Sequence, residues 1–311
     1  MGRLPGTYHK GTNMKIMITG ALGYLGTELL SQLVDTDAEI VAIDNSSEAI
    51  SSRLGSFLYS PKFSFYNVDV SNKQQINALP KVDLIVHLAS VVGYISCNIT
   101  PGLAHDTNVI GTENIANLNT PIIYLSSGSI YGEIGDVCTE ETQTNPKSLY
   151  AEHKVLGERA VSCVSNVILR PATLFGCSYK IRDDLLVHTL IQDAVKTNRI
   201  DLYQPHARRS FYSVRKMASL LKYICKNYSK FEGEIVNVGC ETGNLTKRQL
   251  CEIISKYTKL DVRIVPGQDL DSRDYNIDYG KLKSLWSEYD EIFESHIQPL
   301  VRYYENISNR K

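Results

Sequence analysis

The sequence predicts an α/β fold, in which a doubly wound parallel sheet with helices on both faces is followed by a smaller α/β lobe. Three observations lead to this prediction. Short apolar runs, rich in β-branched and aromatic residues, alternate with helical stretches through the first half of the chain. A glycine-rich turn follows the first of these runs. After Pro171 the pattern changes to helical stretches interleaved with short strands. Repeated strand–helix–strand units of this kind build a parallel sheet that is covered on both faces.

The predicted strands of the first domain, residues 14–170, are short and apolar, as buried parallel strands are. They are Lys15–Thr19, Glu39–Ile43, Phe63–Asn67, Asp83–Leu88, Ile122–Leu125 and Val167–Leu169. The helices predicted between them include Leu25–Val34, Asn108–Leu118 and Tyr150–Ala160.

Residues 171–311 predict a smaller lobe that closes over the open end of the sheet. Its predicted helices are Asp183–Lys196, Val214–Asn227 and Thr246–Tyr257. Its predicted strands are Ile200–Leu202, Glu234–Asn237 and Val262–Val265. Residues 1–13 have no apolar core, so we expect a disordered leader ahead of a native start near Met14.

Composition narrows the class of protein. The net charge of −1 provides no global field for nucleic acid or an anionic membrane, and no apolar run approaches the ~20 residues that span a bilayer. The seven cysteines include no C-x-x-C pair, and their odd number argues against a disulfide framework. We therefore expect a protein of the reduced cytoplasm. The seven histidines lack metal-ligand spacing, so no metal is expected.

The glycine-rich turn Gly20, Gly23 and Gly26 opens a helix directly after the first strand. In a Rossmann-type fold such glycines permit a tight turn, close approach to a pyrophosphate and close helix–sheet packing. Asp44 ends the second strand, 44 − 26 = 18 positions after the last glycine, where a carboxylate accepts bonds from ribose hydroxyls and repels a 2′-phosphate. The pattern predicts NAD rather than NADP. The alternative is an ordinary glycine-rich turn.

Tyr150 and Lys154 are spaced four apart and share one face of a predicted helix. An ammonium beside a phenol stabilises the phenolate and lowers a pKa that starts near ~10, which lets a tyrosine move protons at neutral pH. The pair follows a serine-rich strand end, Ser126-Ser127-Gly128-Ser129. Together with the glycine-rich turn, these residues indicate a hydride-transfer enzyme.

In these motifs the chain resembles the extended short-chain dehydrogenase/reductase family, the NAD-dependent nucleotide-sugar epimerases and dehydratases. The matching segments, in chain order, are Thr19–Gly26, Asp69-Val70, His87–Ser90, Asn108–Thr112, Ser126–Gly132, Tyr150–Lys154, Leu169–Gly176 and Arg209–Met217. Arg-x-Asp-Leu-Leu-Val at 182–187 resembles a subgroup that includes GDP-heptose C4 dehydrogenases. The resemblance covers nearly the whole chain after Met14, and it implies some interleaving of segments between the two lobes.

The resemblance implies a catalytic set of Ser127, Tyr150 and Lys154. Tyr150 would be the acid/base for a sugar hydroxyl, and Lys154 would hold the nicotinamide ribose and keep Tyr150 anionic. Ser127 would orient the reacting oxygen, a role that Ser126 or Ser129 could take instead.

The resemblance also implies which residues bind the cofactor and the substrate. The NAD-binding set is Gly20, Leu22, Gly23, Tyr24, Leu25, Gly26, Asp44, Asn45, Asp69, Val70, Leu88, Ala89, Ser90, Asn108, Leu125, Ser126, Tyr150, Lys154, Arg170, Pro171, Ala172 and Thr173. The substrate set is Val92, Ser127, Gly128, Ser129, Tyr150, Thr173, Leu186, Arg209 and Arg273, with the two arginines on the diphosphate. Two members have a plain structural alternative: Asp69 as a turn cap and Asn108 as a structural hydrogen-bonding residue.

One departure from the family pattern bears on the reaction. Family members that dehydrate their sugars carry Asp-Glu where this chain has Gly128-Ser129. The resemblance therefore implies a C4 epimerase, dehydrogenase or ketosugar reductase acting on a nucleotide-diphosphate sugar, and not a dehydratase. It also implies a homodimer formed by the helices near 108–118 and 150–160. A catalytically silent NAD sensor on the same fold is the alternative.

Overall fold

The computed structural model of the protein describes residues 14–46, 55, 57, 59–163, 165–267 and 274–308, so the expected leader lies outside the described residues. The strands, numbered along the chain, are β1 (Lys15–Thr19), β2 (Glu39–Asp44), β3 (Phe63–Asn67), β4 (Leu84–His87), β5 (Ile122–Leu125), β6 (Glu133–Cys138), β7 (Val167–Pro171), β8 (Thr173–Phe175), β9 (Arg199–Leu202), β10 (Arg208–Ser213), β11 (Ile235–Val238), β12 (Asn244–Thr246), β13 (Asp261–Ile264) and β14 (Asp274–Ile277). The helices are α1 (Tyr24–Leu33), α2 (Lys73–Asn77), α3 (Tyr94–Ile99), α4 (Pro101–His105), α5 (Gly111–Ala116), α6 (Leu149–Val161), α7 (Leu186–Thr197), α8 (Val214–Lys226), α9 (Lys247–Ser255), α10 (Gly280–Leu285) and α11 (Ile297–Ser308).

The central sheet has seven strands in the order β11-β7-β5-β4-β1-β2-β3. Each neighbouring pair is parallel; Ile16 of β1, for example, lies opposite Ile40 on one side and Leu84 on the other. All six strands predicted from the first half of the sequence belong to this sheet. The predicted doubly wound α/β fold is confirmed.

Alternate residues of the strands face opposite layers of the core, as the pleat of a β-strand requires. Ile16 and Ile18 pack in one hydrophobic cluster with Leu29 of α1 and Leu221 of α8. Met17, between them, belongs to the cluster on the other face, together with Ile115 of α5 and Val161 of α6. Helices therefore cover both faces of the sheet.

The smaller lobe has its own apolar core, built around Phe175, Ile191, Phe211, Ile254 and Leu300. Its strands form short sheets that join β8, β10 and β12 and, separately, β9 and β13.

One strand that was predicted within the smaller lobe belongs to the central sheet. The stretch predicted as Glu234–Asn237 of the smaller lobe is β11, and it pairs in parallel with β7 as the seventh strand of the central sheet. Helix α8 also returns to the large lobe, where Met217 and Leu221 share a core cluster with Leu30. The chain therefore leaves the first lobe after β7 and comes back to it.

Two helix starts differ from the prediction for local reasons. The helix predicted from Asn108 begins earlier, at Pro101 of α4, and runs through a π-helical turn (Asp106–Ile110) into α5. Proline suits the first position of a helix because its missing N–H would have no partner there. Helix α7, predicted from Asp183, begins at Leu186. The Asp183 and Asp184 carboxylates instead accept hydrogen bonds from Tyr304 and Arg182.

Candidate active site

A cleft of about 810 Å³ opens at the carboxyl ends of the central strands and is lined by both lobes. Beside it the strand order reverses, because β1 lies between β2 and β4. Gly20 follows β1, and Leu88, Ala89 and Ser90 follow β4; all four residues line the cleft. In open α/β sheets this switch point is where ligands bind.

The three glycines of the first turn are required by close backbone approach. Gly20 has φ +69°, and a Cβ there would lie 2.8 Å from the Ala89 nitrogen. A Cβ on Gly26 would overlap the Gly20 carbonyl oxygen and would lie 2.7 Å from the Ala21 oxygen. The turn therefore brings the start of α1 against β1, and at Gly20, Gly23 and Gly26 no side chain separates the backbone from the cleft. Such a surface suits a pyrophosphate.

Asp44 lines the cleft at the end of β2 and supports the glycine-rich turn. Its carboxylate accepts hydrogen bonds from the Leu22 N–H (2.9 Å) and the Ser46 N–H (3.0 Å). A carboxylate has room for about four hydrogen bonds, so both oxygens can still accept a ribose hydroxyl.

We expect Asp44→Ala to weaken NAD binding more than NADP binding. The hydrogen bonds that are lost are those to the free 2′-hydroxyl of NAD. For NADP, the substitution instead removes the repulsion between the 2′-phosphate and the carboxylate. Loss of the Leu22 contact disturbs the turn for both cofactors, so the NAD-to-NADP ratio of dissociation constants is the measurement that decides. An unchanged ratio would contradict the assignment.

Helix α6 brings Tyr150 and Lys154 to the cleft. Its start is fixed by the N-cap Ser148, whose side chain accepts a hydrogen bond from the Ala151 N–H (3.2 Å). Gly157 lets the helix approach β5, because a Cβ there would overlap the Tyr124 hydroxyl. The buried pair of Arg170 and Glu158, with N–O distances of 3.0 and 2.8 Å, joins the helix to β7.

Lys154 is buried, and its ammonium donates to the Leu125 carbonyl at 2.8 Å. Its Nζ lies 5.7 Å from the centre of the Tyr150 ring. Burial lowers the pKa of Lys154 to about 8, although Cys97 and Glu158 oppose the shift. A cation so close to a tyrosine ring in a cleft is an arrangement that favours phenolate.

The serines after β5 lie in the same cleft. Ser127 caps the 3₁₀ turn Gly128–Tyr131 by accepting from the Ser129 N–H (3.1 Å), and its hydroxyl lies 2.8 Å from that of Ser129. Ser126 Oγ is buried and, within the described part of the chain, has no hydrogen-bond partner. A bound ligand could supply one.

Most of the residues named from the sequence line this cleft. The predicted members found there are Gly20, Gly23, Tyr24, Leu25, Gly26, Asp44, Asn45, Val70, Leu88, Ala89, Ser90, Val92, Leu125, Ser126, Ser127, Ser129, Tyr150, Lys154, Pro171, Ala172 and Thr173.

Four residues assigned to the cofactor are not among those that line the cleft. Asn108 bonds to the Val91 backbone N–H (2.7 Å) and carbonyl (2.9 Å), so it holds the loop after β4. Arg170 is buried in its pair with Glu158. Asp69 accepts from the Ser71 N–H (2.9 Å) and hydroxyl; burial raises the pKa of Asp69, but these hydrogen bonds outweigh it and lower the pKa. Leu22 is fully buried beneath the turn.

Three residues assigned to the substrate also do not line the cleft, and a fourth cannot be placed. Gly128 packs against Pro171 and Ile277, and Leu186 lies one position beyond the cleft-lining Leu185. Arg209 is buried in β10, where it pairs opposite Leu245 and donates to the Arg208 carbonyl. Arg273 lies outside the described residues.

The predicted site sets leave out the charged residues Lys180, Arg182 and Asp184, which line the cleft from the segment between β8 and α7. Arg182 and Asp184 belong to the Arg-x-Asp-Leu-Leu-Val motif, to which the sequence analysis gave no role in the site. The sequence feature that could have pointed to them is the pair of cations Lys180 and Arg182, which lie two positions apart shortly before an apolar helix. Tyr94 and Ser148 also line the cleft.

The cleft fits a dinucleotide. Gly20, Gly23 and Gly26 line it without side chains of their own, and Asp44 lines it at the end of β2, where a carboxylate can accept hydrogen bonds from a ribose. Ser126 adds a buried hydroxyl that has no hydrogen-bond partner among the described residues. The fold and this cleft define the class: a dinucleotide-binding α/β protein with a tyrosine and a lysine beside the cofactor site.

Comparison with known proteins gives the family. Residues 16–239 match the NAD dependent epimerase/dehydratase family, and the chain belongs to it. It is 26% identical to UDP-glucuronic acid decarboxylase 6 of Arabidopsis thaliana, over 88% of this chain and 83% of that one. Its fold is similar to that of dTDP-glucose 4,6-dehydratase from Streptomyces venezuelae, solved with NAD bound, with a TM-score of 0.82, 21% identity and coverage of 96% and 98%. UDP-glucose 4-epimerase of Thermus thermophilus, in complex with NAD, gives a TM-score of 0.77 at 20% identity, with coverage of 94% and 99%.

Membership in this family makes the protein a short-chain dehydrogenase/reductase-type enzyme with NAD as its cofactor, as predicted. In the part of the chain that the structure describes, each helix is too short or too polar to cross a membrane.

Proposed function

We propose that this enzyme oxidises C4 of a nucleotide-diphosphate sugar, as an epimerase or a dehydrogenase, or reduces the corresponding ketosugar. The observation that carries the proposal is the meeting of Tyr150, Lys154 and Ser127 in the cleft that begins at the glycine-rich turn. Bound NAD would supply hydride acceptance and return. Everything else in the reaction falls to residues of the chain.

Tyr150 takes the proton of the sugar hydroxyl as its carbon is oxidised, and gives it back on reduction. Lys154, fixed by the Leu125 carbonyl, holds positive charge beside the tyrosine and would bind the nicotinamide ribose. The hydroxyls of Ser127 and Ser129, 2.8 Å apart, can hydrogen-bond the reacting oxygen and orient it.

We further propose that the enzyme does not dehydrate its substrate. Loss of water from a ketosugar needs an additional acid and base, and the two residues after Ser127 are Gly128 and Ser129. Among the described residues, the carboxylates that line the cleft are Asp44, at the ribose position, and Asp184, which is paired with Arg182.

The test begins with release of the cofactor from purified protein and its identification by mass spectrometry. Nucleotide-diphosphate hexoses, heptoses and ketosugars are then incubated with the NAD-loaded protein, and the products are analysed by NMR. We expect a change at C4 with C5 and C6 intact. A 4-keto-6-deoxy product would contradict the proposal on dehydration, and unchanged C4 in every substrate tested would contradict the proposed function.

We also propose a cytoplasmic homodimer. All seven cysteines are free, as in a reduced compartment. Ile99 before α4, Leu103 on α4 and Leu156 on α6 expose large apolar side chains on neighbouring helices. A second copy of the chain would cover this surface through a symmetric contact.

We expect Ile99→Asp to shift the protein from dimer to monomer in light scattering at micromolar concentration, because it places a charge in the contact. Ile99 is 72% exposed, so the fold itself should tolerate the change. Ile292→Asp, at a site 70% exposed in the smaller lobe, is the matched control and should leave the dimer intact. A monomeric wild-type protein under the same conditions would count directly against the proposal.

A further inference from the structure

The segment 176–185, between β8 and α7, contributes the charged part of the cleft that the proposed catalytic set does not use. Lys180, Arg182 and Asp184 line the same cleft as Tyr150. Among the described residues, the side-chain cations that line the cleft are these two, Lys180 and Arg182, together with Lys154. Lys154 belongs to the proposed reaction centre, which leaves Lys180 and Arg182 as the described side-chain cations that can meet a substrate anion in the cleft.

Arg182 is held in a defined orientation. Its Nε and Nη2 donate to the two carboxylate oxygens of Asp184 at 2.6 and 2.5 Å. The guanidinium lies across from the start of α3, since a Cβ on Gly93 would be 3.9 Å from Nη2. It is also close enough to Tyr150 and Tyr24 to interact electrostatically with both. Arg182 therefore borders the space beside the catalytic tyrosine.

The pair leaves donors for a ligand. A guanidinium has five N–H donors, and within the described part of the chain the bonds to Asp184 use two of them. The Arg182 side chain is 22% exposed and that of Asp184 54%, so the carboxylate is the more solvated partner. An oxyanion in the cleft can thus reach the remaining N–H groups without breaking the pair.

The segment that carries Arg182 is hydrogen-bonded to the start of α1, on the cofactor side of the cleft. The Tyr24 hydroxyl donates to the Gly176 carbonyl at 2.7 Å, and the Ser178 hydroxyl donates to the Tyr24 carbonyl at 2.6 Å. Both bonds join the segment to the first turn of α1.

A second set of bonds ties the same segment to the C-terminal helix. The Gly176 N–H donates to Nε2 of buried His188 (3.1 Å), so Nδ1 carries the proton and faces the Tyr304 oxygen at 2.9 Å. The Tyr304 hydroxyl donates to Asp183 at 2.9 Å. Burial lowers the pKa of His188 to about 4, which keeps this ring neutral near pH 7. An arginine on a segment fixed at both ends loses little freedom when it binds a ligand.

We propose that Arg182, steadied by Asp184, binds an oxyanion of the substrate and is a specificity-determining residue of this enzyme. The inference rests on the proposed function. For the diphosphate, Arg182 would make a contact that the sequence assigned to Arg209 and Arg273, and Arg209 lies in β10 and does not line the cleft. Two sources of the oxyanion share this chemistry: the diphosphate of the nucleotide and a carboxylate on the sugar.

The test is calorimetric titration of NAD-loaded wild-type, Arg182→Gln, Arg182→Lys and Arg199→Gln proteins. Arg199 is a matched control, since it makes the same Arg-x-Asp pair with Asp201, at 2.9 and 2.8 Å, on the exposed strand β9. The probes are the common nucleoside 5′-diphosphates and, for the base that binds best, its diphosphate-glucose and diphosphate-glucuronate.

We expect Arg182→Gln to weaken binding about 10- to 100-fold, the effect of losing hydrogen bonds between charged groups. Arg182→Lys should recover part of the loss because it keeps the charge, and Arg199→Gln should bind like the wild type. A loss already present with the nucleoside diphosphates assigns Arg182 to the diphosphate; a loss confined to the glucuronate assigns it to the sugar carboxylate.

Two results would overturn the inference while the proposed function stands: equal affinity of wild type and Arg182→Gln for every probe, or a parallel loss of NAD affinity that reveals a disturbed cleft. Failure of the wild-type protein to bind any probe would instead remove the proposed function, and the inference with it.

Discussion

Replacement of Tyr150 by phenylalanine is expected to lower turnover by about 10²–10⁴-fold, the usual contribution of a positioned general acid/base. The fold and NAD affinity should survive, because the ring that stands 5.7 Å from Lys154 Nζ is kept and only the oxygen is removed. The measurement is the single-turnover rate on the true substrate, with NAD binding determined in parallel.

Tyr94→Phe is the control for this variant, since it removes a second phenol oxygen from the same cleft and should leave most of the turnover. For the wild type, the oxidative rate should rise with pH through an apparent pKa below the ~10 of free tyrosine. Burial lowers the pKa of Lys154 to about 8, so the midpoint belongs to the tyrosine–lysine pair rather than to either residue alone. Near-normal turnover of Tyr150→Phe would overturn the mechanism.

The second large effect is expected at Gly26. In Gly26→Ala the new methyl group would overlap the Gly20 carbonyl oxygen and press on the Ala21 carbonyl, and backbone atoms cannot move aside as a flexible side chain can. We expect the free energy of unfolding to fall by about 1–3 kcal/mol, as for other overpacked sites, and NAD binding to be lost or severely weakened. Urea denaturation and NAD titration measure the two effects.

Gly102→Ala is the matched control. Gly102 also lies in a helix, α4, but among the described residues no atom beyond its chain neighbours and its own helix backbone lies within 4 Å of a Cβ built there. Alanine is the better helix former, so this variant should be neutral or more stable by up to ~1 kcal/mol. Similar stability and NAD affinity in the two variants would show that close approach at Gly26 is not what the turn depends on.

The parts of the fold that could be predicted from sequence are those set by local pattern. Lys15–Thr19 could be predicted as a strand because it is a short apolar run that ends at a glycine. Gly26 could be predicted as a position of close packing from the spacing of the glycines alone. Tyr150 and Lys154 reach one cleft because helical spacing places them on one face.

The parts that could not be predicted depend on long-range packing. Whether Arg209 or Arg182 faces the cleft is decided by the pairing of β10 and by the path of the loop before α7. Asn108 has the same sequence neighbours whether it binds a ligand or holds the Val91 backbone, and only the fold brings Val91 to its amide. The place of β11 in the central sheet depends on a strand far away along the chain.

That position of β11 constrains the order in which the protein can be made. A ribosome releases the amino-terminal part first, and domains generally begin to fold during synthesis. When β7 has emerged, its outer backbone edge has no neighbour yet, because β11, the strand that pairs there in the described part of the chain, follows the first helices of the smaller lobe. The nascent chain therefore carries an open parallel edge through the synthesis of residues 172–234, the kind of surface on which unfinished chains pair with one another. Completion of the sheet closes that edge, so the large lobe reaches its final form only after part of the small one has been translated.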